Sequence, residues 1–155
     1  MKGFINKLLG KFDVQLTRKS SYETFLSRRE KYGVYELAEL IDSVHLPVFF
    51  ESLQYSKAQL RQDIFVLSEL GFKREGYFVE FGATNGVDLS NSYLLEKQFG
   101  WNGVLAEPAR KWHFDLGSNR KVNIEHDCVW TNTGEKLLFN EVDYGELSTI
   151  DSFSD

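Results

Sequence analysis

The sequence has little cysteine or proline, and it has no long apolar run. The single cysteine, Cys128, excludes an internal disulfide framework and any zinc site built on cysteines. Only 2 of the 155 residues are proline, and 42% are hydrophobic, which excludes collagen-like, low-complexity and disordered proteins. No apolar stretch approaches the roughly 20 residues of a membrane span, and residues 1–12 make a poor signal peptide. Together with the cysteine usage, these features predict a cytoplasmic protein of about one domain.

Charge is distributed unevenly along the chain. The net charge is −5, from 18 basic and 23 acidic residues. Residues 1–75 hold 12 Lys/Arg against 10 Asp/Glu, and residues 76–155 hold 6 against 13, so the two halves carry +2 and −7. Because phosphate binding needs clustered cations, the acidic half is not expected to bind nucleic acid.

Residues 1–55 form a predicted helical amino-terminal region. The pattern of residues 1–12 predicts an amphipathic helix whose lysines lie outside its apolar face. Such a helix either packs on its own domain or makes a weak contact with a membrane surface or a partner. Ser20 and Glu23 have capping-box spacing and predict a second helix start.

Two further helices are predicted before the first strand. Apolar residues from Val34 to Ile41 follow helical spacing, and Leu46–Pro47 is expected to end that region. Ser56 and Gln59 form another capping-box pair, with Tyr55 and Leu60 placed for a hydrophobic staple. Gly71 stands where a left-handed C-cap glycine is expected.

The second half of the chain alternates between strands and helices. Short apolar runs at 77–81, 104–106 and 122–129 are separated by helical patterns, and a further strand is predicted over 136–142. This order is typical of an α/β fold with a parallel sheet and right-handed crossovers. Continuous apolar character in the first two strands indicates cover on both faces, whereas the third alternates as an edge strand does. The predicted spatial order is therefore third, second, first, with the first strand interior.

The loop after the first strand contains the main candidate binding residues. Its sequence from Glu80 to Gly86 is EFGATNG, with glycine spacing that matches neither a dinucleotide-binding motif nor a P-loop. The acidic Glu80 would repel a pyrophosphate and would attract a ligand amino group. This favours a nucleoside-bearing ligand without a phosphate chain, although a glycine loop is often only a turn. Asn85, Asp88, Ser90 and Asn91 are further candidates, and Ser90 or Asn91 also fits as the cap of the next helix.

The ends of the next two strands supply the other candidates. Glu107 is placed to accept hydrogen bonds from ribose hydroxyls, the alternative being a solvated strand end. The segment from His126 to Val129 ends the third strand, where backbone groups and Asp127 would face an adenine ring. The three histidines are too dispersed to predict a metal site, and Cys128 is interpreted as a small strand residue rather than a nucleophile.

Two segments carry a resemblance to a known family. The stretch GYFVEFGATNGVDLSNSYLLEK over 76–97, followed by GWNGVLAEP over 100–108, closely resembles the FkbM family of S-adenosylmethionine-dependent methyltransferases. The helix at 56–67 is similar to the lead-in helix of that family, and the resemblance extends to about Val142. It implies a Rossmann-like methyltransferase fold and O-methylation of a hydroxyl on a small-molecule acceptor, such as a sugar or natural product.

The resemblance also implies residue roles. Glu80, Gly82 and Gly86 would line the methionine part of S-adenosylmethionine, Glu107 would take the ribose, and the Asp127–Cys128 region would lie by the adenine. The full set of expected cofactor-binding residues is Glu80, Gly82, Ala83, Thr84, Asn85, Gly86, Asn91, Glu107, Asp127 and Cys128.

One departure from the family limits the prediction. The family continues with a fourth strand carrying an acidic Asp-x-Glu-Gly-type motif, and nothing after Val142 matches it. The expected domain, residues 56–155, is therefore an incomplete Rossmann-like sheet, and no catalytic residue is assigned. The alternatives are a non-catalytic cofactor-binding fragment, a nucleotide- or NAD-binding α/β protein, and a membrane-peripheral adaptor working through residues 1–31.

An incomplete sheet has a structural consequence. If the first strand lacks its next neighbour, its open edge is available for pairing with another chain. The expected outcomes are a homodimer, aggregation, or cover by the tail or the 136–142 strand.

Overall fold

In a computed structural model of the chain, which describes residues 33–143 and 148–153, the apolar runs of the second half form a parallel sheet. The predicted elements at 1–12 and at Ser20–Glu23 lie outside the described residues. The contacts divide the chain into two units, 1–42 and 43–155. The predicted division into a helical region over 1–55 and a domain over 56–155 stays a prediction.

The sheet has three strands in the order β1-β2-β3, namely β1 (Tyr77–Phe81), β2 (Asn102–Ala106) and β3 (Asn123–Glu125). Both pairs are parallel, with Val79 beside Val104 and Val104 beside Asn123. The α/β class and the predicted order of strands are thus confirmed. The strand β3 is shorter than the predicted 122–129, and it is an edge strand as its alternating pattern indicated.

Five α-helices are described. The first unit contains α1 (33–39), and the second contains α2 (Leu46–Leu53), α3 (Gln62–Glu69), α4 (Tyr93–Phe99) and α5 (His113–Asn119). The expectation that Leu46–Pro47 ends a helical region was wrong, because α2 begins there with Pro47 in its first turn. Proline is tolerated at that place, since the first amides of a helix have no partner within the helix.

The start of α3 differs from the prediction, and its end agrees with it. The helix begins at Gln62, after Arg61 in a left-handed conformation (φ 62°), so Ser56 and Gln59 do not form a capping box. The Ser56 hydroxyl instead donates a 2.8 Å hydrogen bond to Oδ1 of Asp63. The helix ends at Glu69. Gly71 follows with a φ of 58°, and the amide of Phe72 closes a Schellman motif by donating to the Leu67 carbonyl.

Helices cover one face of the sheet. Right-handed crossovers place α4 and α5 on the same face, and Arg120, directly after α5, lies 5.7 Å from the ring centre of Phe78. Phe78 and Leu105 point to this face and are buried. With them, the helices supply the buried apolar residues of the core: Phe49, Ile64, Leu67, Leu94, Leu95, Phe99 and Leu116.

The first strand is neither interior nor covered on both faces, contrary to prediction. Its residues alternate between buried and exposed, and Tyr77, Val79 and Phe81 form the exposed set. Among the described residues β1 pairs with β2 alone. Apolar residues on an open face cannot be told from buried ones by sequence pattern, which is why the continuous run was misleading.

A short antiparallel ladder follows the sheet. It pairs β4 (Phe139–Asn140) with β5 (Thr149–Ile150), so the predicted 136–142 strand is reduced to two residues. Neither strand pairs with β1, so the expected cover of the β1 edge by this region does not occur through sheet pairing. Within the described part of the chain, no helix combines the length and apolar character that crossing a membrane requires.

Candidate functional site

A cavity of about 680 Å³ lies at the carboxyl ends of the three parallel strands. Open α/β sheets bind ligands at this edge, and the volume falls within the range of about 300–1,000 Å³ typical of ligand pockets. The structure brings together nine of the ten expected cofactor-binding residues around this cavity: Glu80, Gly82, Ala83, Thr84, Asn85, Asn91, Glu107, Asp127 and Cys128.

Gly86 is the exception, because this part of the loop faces Arg120 and Leu116 rather than the cavity. Its φ of 77° is in the left-handed region, where glycine is favoured. A Cβ at this position would lie 2.6 Å from Cγ of Arg120 and 2.7 Å from Cδ1 of Leu116. Gly86 therefore lets the loop pack closely against the end of α5.

Glu107 directly follows β2, and its side chain binds the backbone of Thr84 and of Ala109. The residue is almost completely buried, with 4% of its surface exposed. Its Oε2 accepts a 2.8 Å hydrogen bond from the amide of Thr84, and its Oε1 accepts one of 2.8 Å from the amide of Ala109. A carboxylate offers about four acceptor positions. Two positions remain for a ligand, so Glu107 both shapes the loop and lines the cavity.

Glu80 is used mainly within the protein. Its carboxylate accepts hydrogen bonds from the Ser90 hydroxyl (2.9 Å), the Asn91 amide (2.8 Å) and the Ser92 hydroxyl. Arg120 lies 3.9 Å from Oε2. With three acceptor positions engaged, Glu80 contributes negative charge to the cavity and retains one position for a ligand.

The loop between β1 and α4 has an unusual backbone. Thr84 (φ 46°) and Leu89 (φ 59°) both adopt left-handed conformations, which are rare for residues with side chains. The Asn85 side chain stabilises the turn between them, because its Oδ1 accepts hydrogen bonds from the amides of Val87 and Asp88. Leu89 also forms an isolated parallel bridge with Ala58, so the segment before α3 supports the cavity wall.

Arg120 is the central residue beneath the site, and the sequence did not single it out. Its guanidinium is buried and donates hydrogen bonds to Glu96, to the Gly86 carbonyl (3.0 Å) and to the hydroxyls of Ser90 (3.2 Å) and Ser92 (2.9 Å). Burial raises the pKa of Glu96, but hydrogen bonds from Lys97 and Arg120 outweigh it and leave that pKa below its usual range.

The sequence predicts that Ser90 or Asn91 caps α4. In the structure, Ser90 fills part of this role. The helix begins at Tyr93, and the Ser90 hydroxyl accepts hydrogen bonds from the amides of Tyr93 (3.1 Å) and Ser92 (3.3 Å). The Asn91 residue lines the cavity.

Asp127 and Cys128 lie on the cavity wall after β3. Burial raises the pKa of the Cys128 thiol, and the negative charges of Asp127 and Glu107 raise it further. The thiol is therefore protonated at neutral pH, which argues against a nucleophile. Cys128 lies three positions after the end of β3, so its interpretation as a strand residue was wrong.

Two of the histidines predicted to be dispersed are in contact. The rings of His113 and His126 stack with their centres 3.8 Å apart, and Nε2 of His113 lies 2.9 Å from the Glu107 carbonyl oxygen. Within the described residues, no group of three or more His, Cys, Asp or Glu side chains is placed to hold a metal ion.

An apolar wall was not anticipated from the sequence. Its residues come from the end of β1, the loop before α4, the residue before α5, the segment after β3 and the β4–β5 ladder: Phe81, Leu89, Trp112, Val129, Phe139 and Ile150. Lys111 holds the ladder segment in place, since its amide donates to Oε1 of Glu141 (3.0 Å) and its ammonium to the Asp143 carbonyl (2.6 Å). Nε1 of Trp112 is buried without a hydrogen-bond partner.

Charge on the cavity wall is of one sign. Four carboxylates line it, those of Glu80, Asp88, Glu107 and Asp127, and no Lys, Arg or His is among the described lining residues. Such a wall favours a cationic or uncharged ligand over a polyanion.

Comparison of the chain with protein-family models, with curated proteins and with solved structures found no match.

Proposed function

We propose that the cavity binds S-adenosylmethionine and that the protein takes part in methyl transfer to a small-molecule hydroxyl, on a Rossmann-like sheet. The observation that carries this proposal is the wall of four carboxylates at the carboxyl ends of parallel strands, with no lysine or arginine among the lining residues that the structure describes. The cofactor has an amino group, a sulfonium and no phosphate, so its charge suits this wall.

Glu107 fits the ribose of the cofactor. Each of its carboxylate oxygens accepts one backbone amide, from Thr84 or from Ala109, and each retains one acceptor position. Two ribose hydroxyls need two acceptors. Because Glu107 is fixed by those amides, it would be oriented before the ligand arrives, which lowers the entropic cost of binding.

The remaining residues would hold the other ends of the cofactor. Gly82, Thr84 and Asn91 would surround the methionine part beside the charge of Glu80, and Asp127 with Cys128 would lie by the adenine. The bound cofactor would supply an electrophilic methyl group. The protein would contribute orientation and exclusion of water, to which the apolar wall of Phe139 and Ile150 is suited.

The first test is calorimetric titration with S-adenosylhomocysteine, NAD and ATP. We expect the sulfur nucleoside to bind and the two phosphate-bearing nucleotides not to bind, because four carboxylates face the cavity. Binding of NAD without binding of S-adenosylhomocysteine would reject the proposal in favour of a nucleotide-binding protein.

A pair of variants tests the location of the site. Asp127→Ala removes an exposed carboxylate on the cavity wall, and Asp115→Ala removes an exposed carboxylate on α5 outside it. A hydrogen bond to a charged group contributes roughly 1.5–3 kcal/mol. We therefore expect S-adenosylhomocysteine to bind at least about tenfold more weakly to Asp127→Ala, and unchanged to Asp115→Ala.

Cofactor binding without turnover is the second candidate. It is favoured by the internal use of Glu80, whose carboxylate accepts hydrogen bonds from Ser90 and Asn91 and is therefore poorly placed to serve as a general base. Incubation with methyl-labelled cofactor and a panel of hydroxylated acceptors distinguishes a methyltransferase from a binding protein. Release of S-adenosylhomocysteine with label transfer indicates an enzyme, and tight binding without transfer indicates a binding protein.

A further inference from the structure

The carboxyl end of α5 is hydrogen-bonded to the loop that lines the cavity. Asn119, the last residue of α5, donates a 2.9 Å hydrogen bond from its side-chain amide to the Asn85 carbonyl. Arg120 follows it and donates a 3.0 Å hydrogen bond from Nη1 to the Gly86 carbonyl. Two neighbouring side chains thus bind two consecutive carbonyls of the turn between β1 and α4. The turn is therefore attached to the end of α5.

Arg120 also reaches the residues that precede α4. Its side chain is fully buried, and it donates hydrogen bonds to the hydroxyls of Ser90 (3.2 Å) and Ser92 (2.9 Å). Both hydroxyls donate in turn to Oε2 of Glu80. A guanidinium has five donors in a rigid plane, so it holds several acceptors in one fixed arrangement. Arg120 therefore orients the Glu80 carboxylate through two serines.

The two carboxylate oxygens of Glu80 are used unequally. Oε2 accepts both serine hydroxyls and lies 3.9 Å from Nη1 of Arg120. Among the described residues, Oε1 accepts a hydrogen bond from the Asn91 amide alone. Each carboxylate oxygen offers about two acceptor positions, so the open position is on Oε1. Glu80 and Asn91 both line the cavity, and the open position lies beside Asn91.

We propose that Asn119 and Arg120, together the α5 clamp, are positioning residues for the amino-acid end of the ligand. The clamp fixes the turn at Asn85 and Gly86 and orients Glu80, so that Oε1 accepts a hydrogen bond from the ligand's amino group. Neither clamp residue is among the described residues that line the cavity, so both act through residues that do. This inference rests on the proposed function, which supplies a ligand with an amino group.

The charge of Arg120 is compensated inside the protein. Its Nε donates to the carboxylate of Glu96 on α4, in addition to its contact with Glu80. The guanidinium is therefore not available to attract an anionic ligand. Groups that are oriented before the ligand arrives lose less conformational freedom on binding. The α5 clamp thus raises affinity by fixing Glu80 and the turn in advance, without contacting the ligand.

Two ligands separate the amino-acid end from the rest of the cavity. S-adenosylhomocysteine carries this end, whereas methylthioadenosine keeps the adenine, ribose and sulfur but lacks it. Arg120→Lys retains the positive charge and loses the planar fork, because an ammonium has fewer donors than a guanidinium. By calorimetric titration, we expect this variant to bind S-adenosylhomocysteine at least about tenfold more weakly and methylthioadenosine within about threefold of the natural chain. The matched control, Arg110→Lys at an exposed position, should change neither affinity.

Because Arg120 is buried, an exposed residue of the clamp provides a second variant. Asn119→Ala removes the hydrogen bond to the Asn85 carbonyl and places a good helix former at the end of α5. We expect S-adenosylhomocysteine to bind about three- to tenfold more weakly, and methylthioadenosine to bind unchanged. The control is Asn123→Ala, at an exposed position on β3, which should affect neither ligand. Circular dichroism checks that each variant folds.

Hydrogen exchange of the ligand-free chain tests the clamp without any ligand. The amides of Gly86, Val87 and Asp88 donate hydrogen bonds within the turn. In Asn119→Ala these amides should exchange at least about threefold faster than in the natural chain, because the turn opens more often once it is released from α5. The amides of β2 should exchange at an unchanged rate.

The possible outcomes are distinct. Equal weakening of both ligands would show that α5 supports the whole cavity rather than one end of it, and would overturn the proposal. Unchanged affinities, or unchanged exchange of the turn in Asn119→Ala, would also overturn it. If the natural chain binds neither ligand, the proposed function fails and the assigned amino group fails with it. The exchange measurement then decides separately whether the α5 clamp holds the turn.

Discussion

The carboxylate of Glu107 accepts a 2.8 Å hydrogen bond from the amide of Thr84, joining the end of β2 to the loop after β1. Thr84 is held in a left-handed conformation at φ 46°, which a β-branched residue rarely adopts. The bond therefore stabilises a strained position in the loop that lines the cavity. The same side chain shapes the site and remains available to bind a ligand.

Replacement of Glu107 by glutamine should destabilise the protein. The amide nitrogen cannot accept a hydrogen bond, so the amide of Thr84 or that of Ala109 loses its buried acceptor. We expect a loss of about 1–3 kcal/mol in the free energy of unfolding, measured by urea denaturation. The matched control is Glu125→Gln at the exposed end of β3, with an expected change below about 0.5 kcal/mol. Equal effects of the two variants would contradict this role of Glu107.

Arg120→Met should be strongly destabilising, because Arg120 is a buried charge with several partners. The substitution leaves the carboxylate of Glu96 and the Gly86 carbonyl without their buried donor. Removing one partner of a buried ion pair costs about 3–5 kcal/mol. The control is Arg110→Met at an exposed position. Thermal unfolding of the two variants tests this prediction, and similar midpoints would show that the Arg120 contacts contribute little.

Much of the sheet could be predicted because its determinants are local. The strands β1 and β2 contain short apolar runs, the edge strand β3 alternates, and right-handed crossovers restrict the order in which parallel strands assemble. The positions of Glu80, Glu107 and Asp127 at strand ends therefore sufficed to place them at one edge of the sheet. Nine expected residues meet there for that reason.

The contacts that could not be predicted are distant in sequence. Arg120 binds Glu96 and Gly86, which precede it by 24 and 34 positions, and no motif signals that pairing. The strand β4 pairs with β5 rather than with the main sheet, and strands of two residues are too short to show a periodic pattern in the sequence. The open face of β1 was missed since apolar character does not reveal whether a face is covered.

Gly86→Ala should destabilise the protein for two reasons, an unfavourable backbone conformation and a steric clash of the added Cβ. Alanine is disfavoured at φ 77°, and its Cβ would lie 2.6 Å from Cγ of Arg120. Gly134→Ala separates the two causes, because Gly134 has φ 82° and no heavy atom within 4 Å of a built Cβ. We expect a loss of about 1 kcal/mol for Gly134→Ala and about 2–4 kcal/mol for Gly86→Ala, by urea denaturation. A difference below about 0.5 kcal/mol would show that Arg120 and its neighbours adjust to the added methyl group.

Asp63 should make stability decrease as pH rises. Burial raises the pKa of Asp63 above its usual range, although Ser56 and the Ile64 amide donate hydrogen bonds to Oδ1. Its Oδ2 is buried without a hydrogen-bond partner, which disfavours ionisation. Because the folded pKa lies above the unfolded one, the contribution of the protonated group is complete below about pH 3.9 and is lost as pH rises through the folded pKa.

Asp63→Asn removes this titration while retaining an oxygen for Ser56 and Ile64. We expect the variant to gain stability relative to the natural protein as pH rises from about 4, and to level off above the raised pKa. Urea denaturation at pH values from 4 to 8 measures the difference. Asp115→Asn, at an exposed position on α5, should show no such trend. A pH-independent difference for Asp63→Asn would mean that Asp63 is ionised in the folded protein throughout this range.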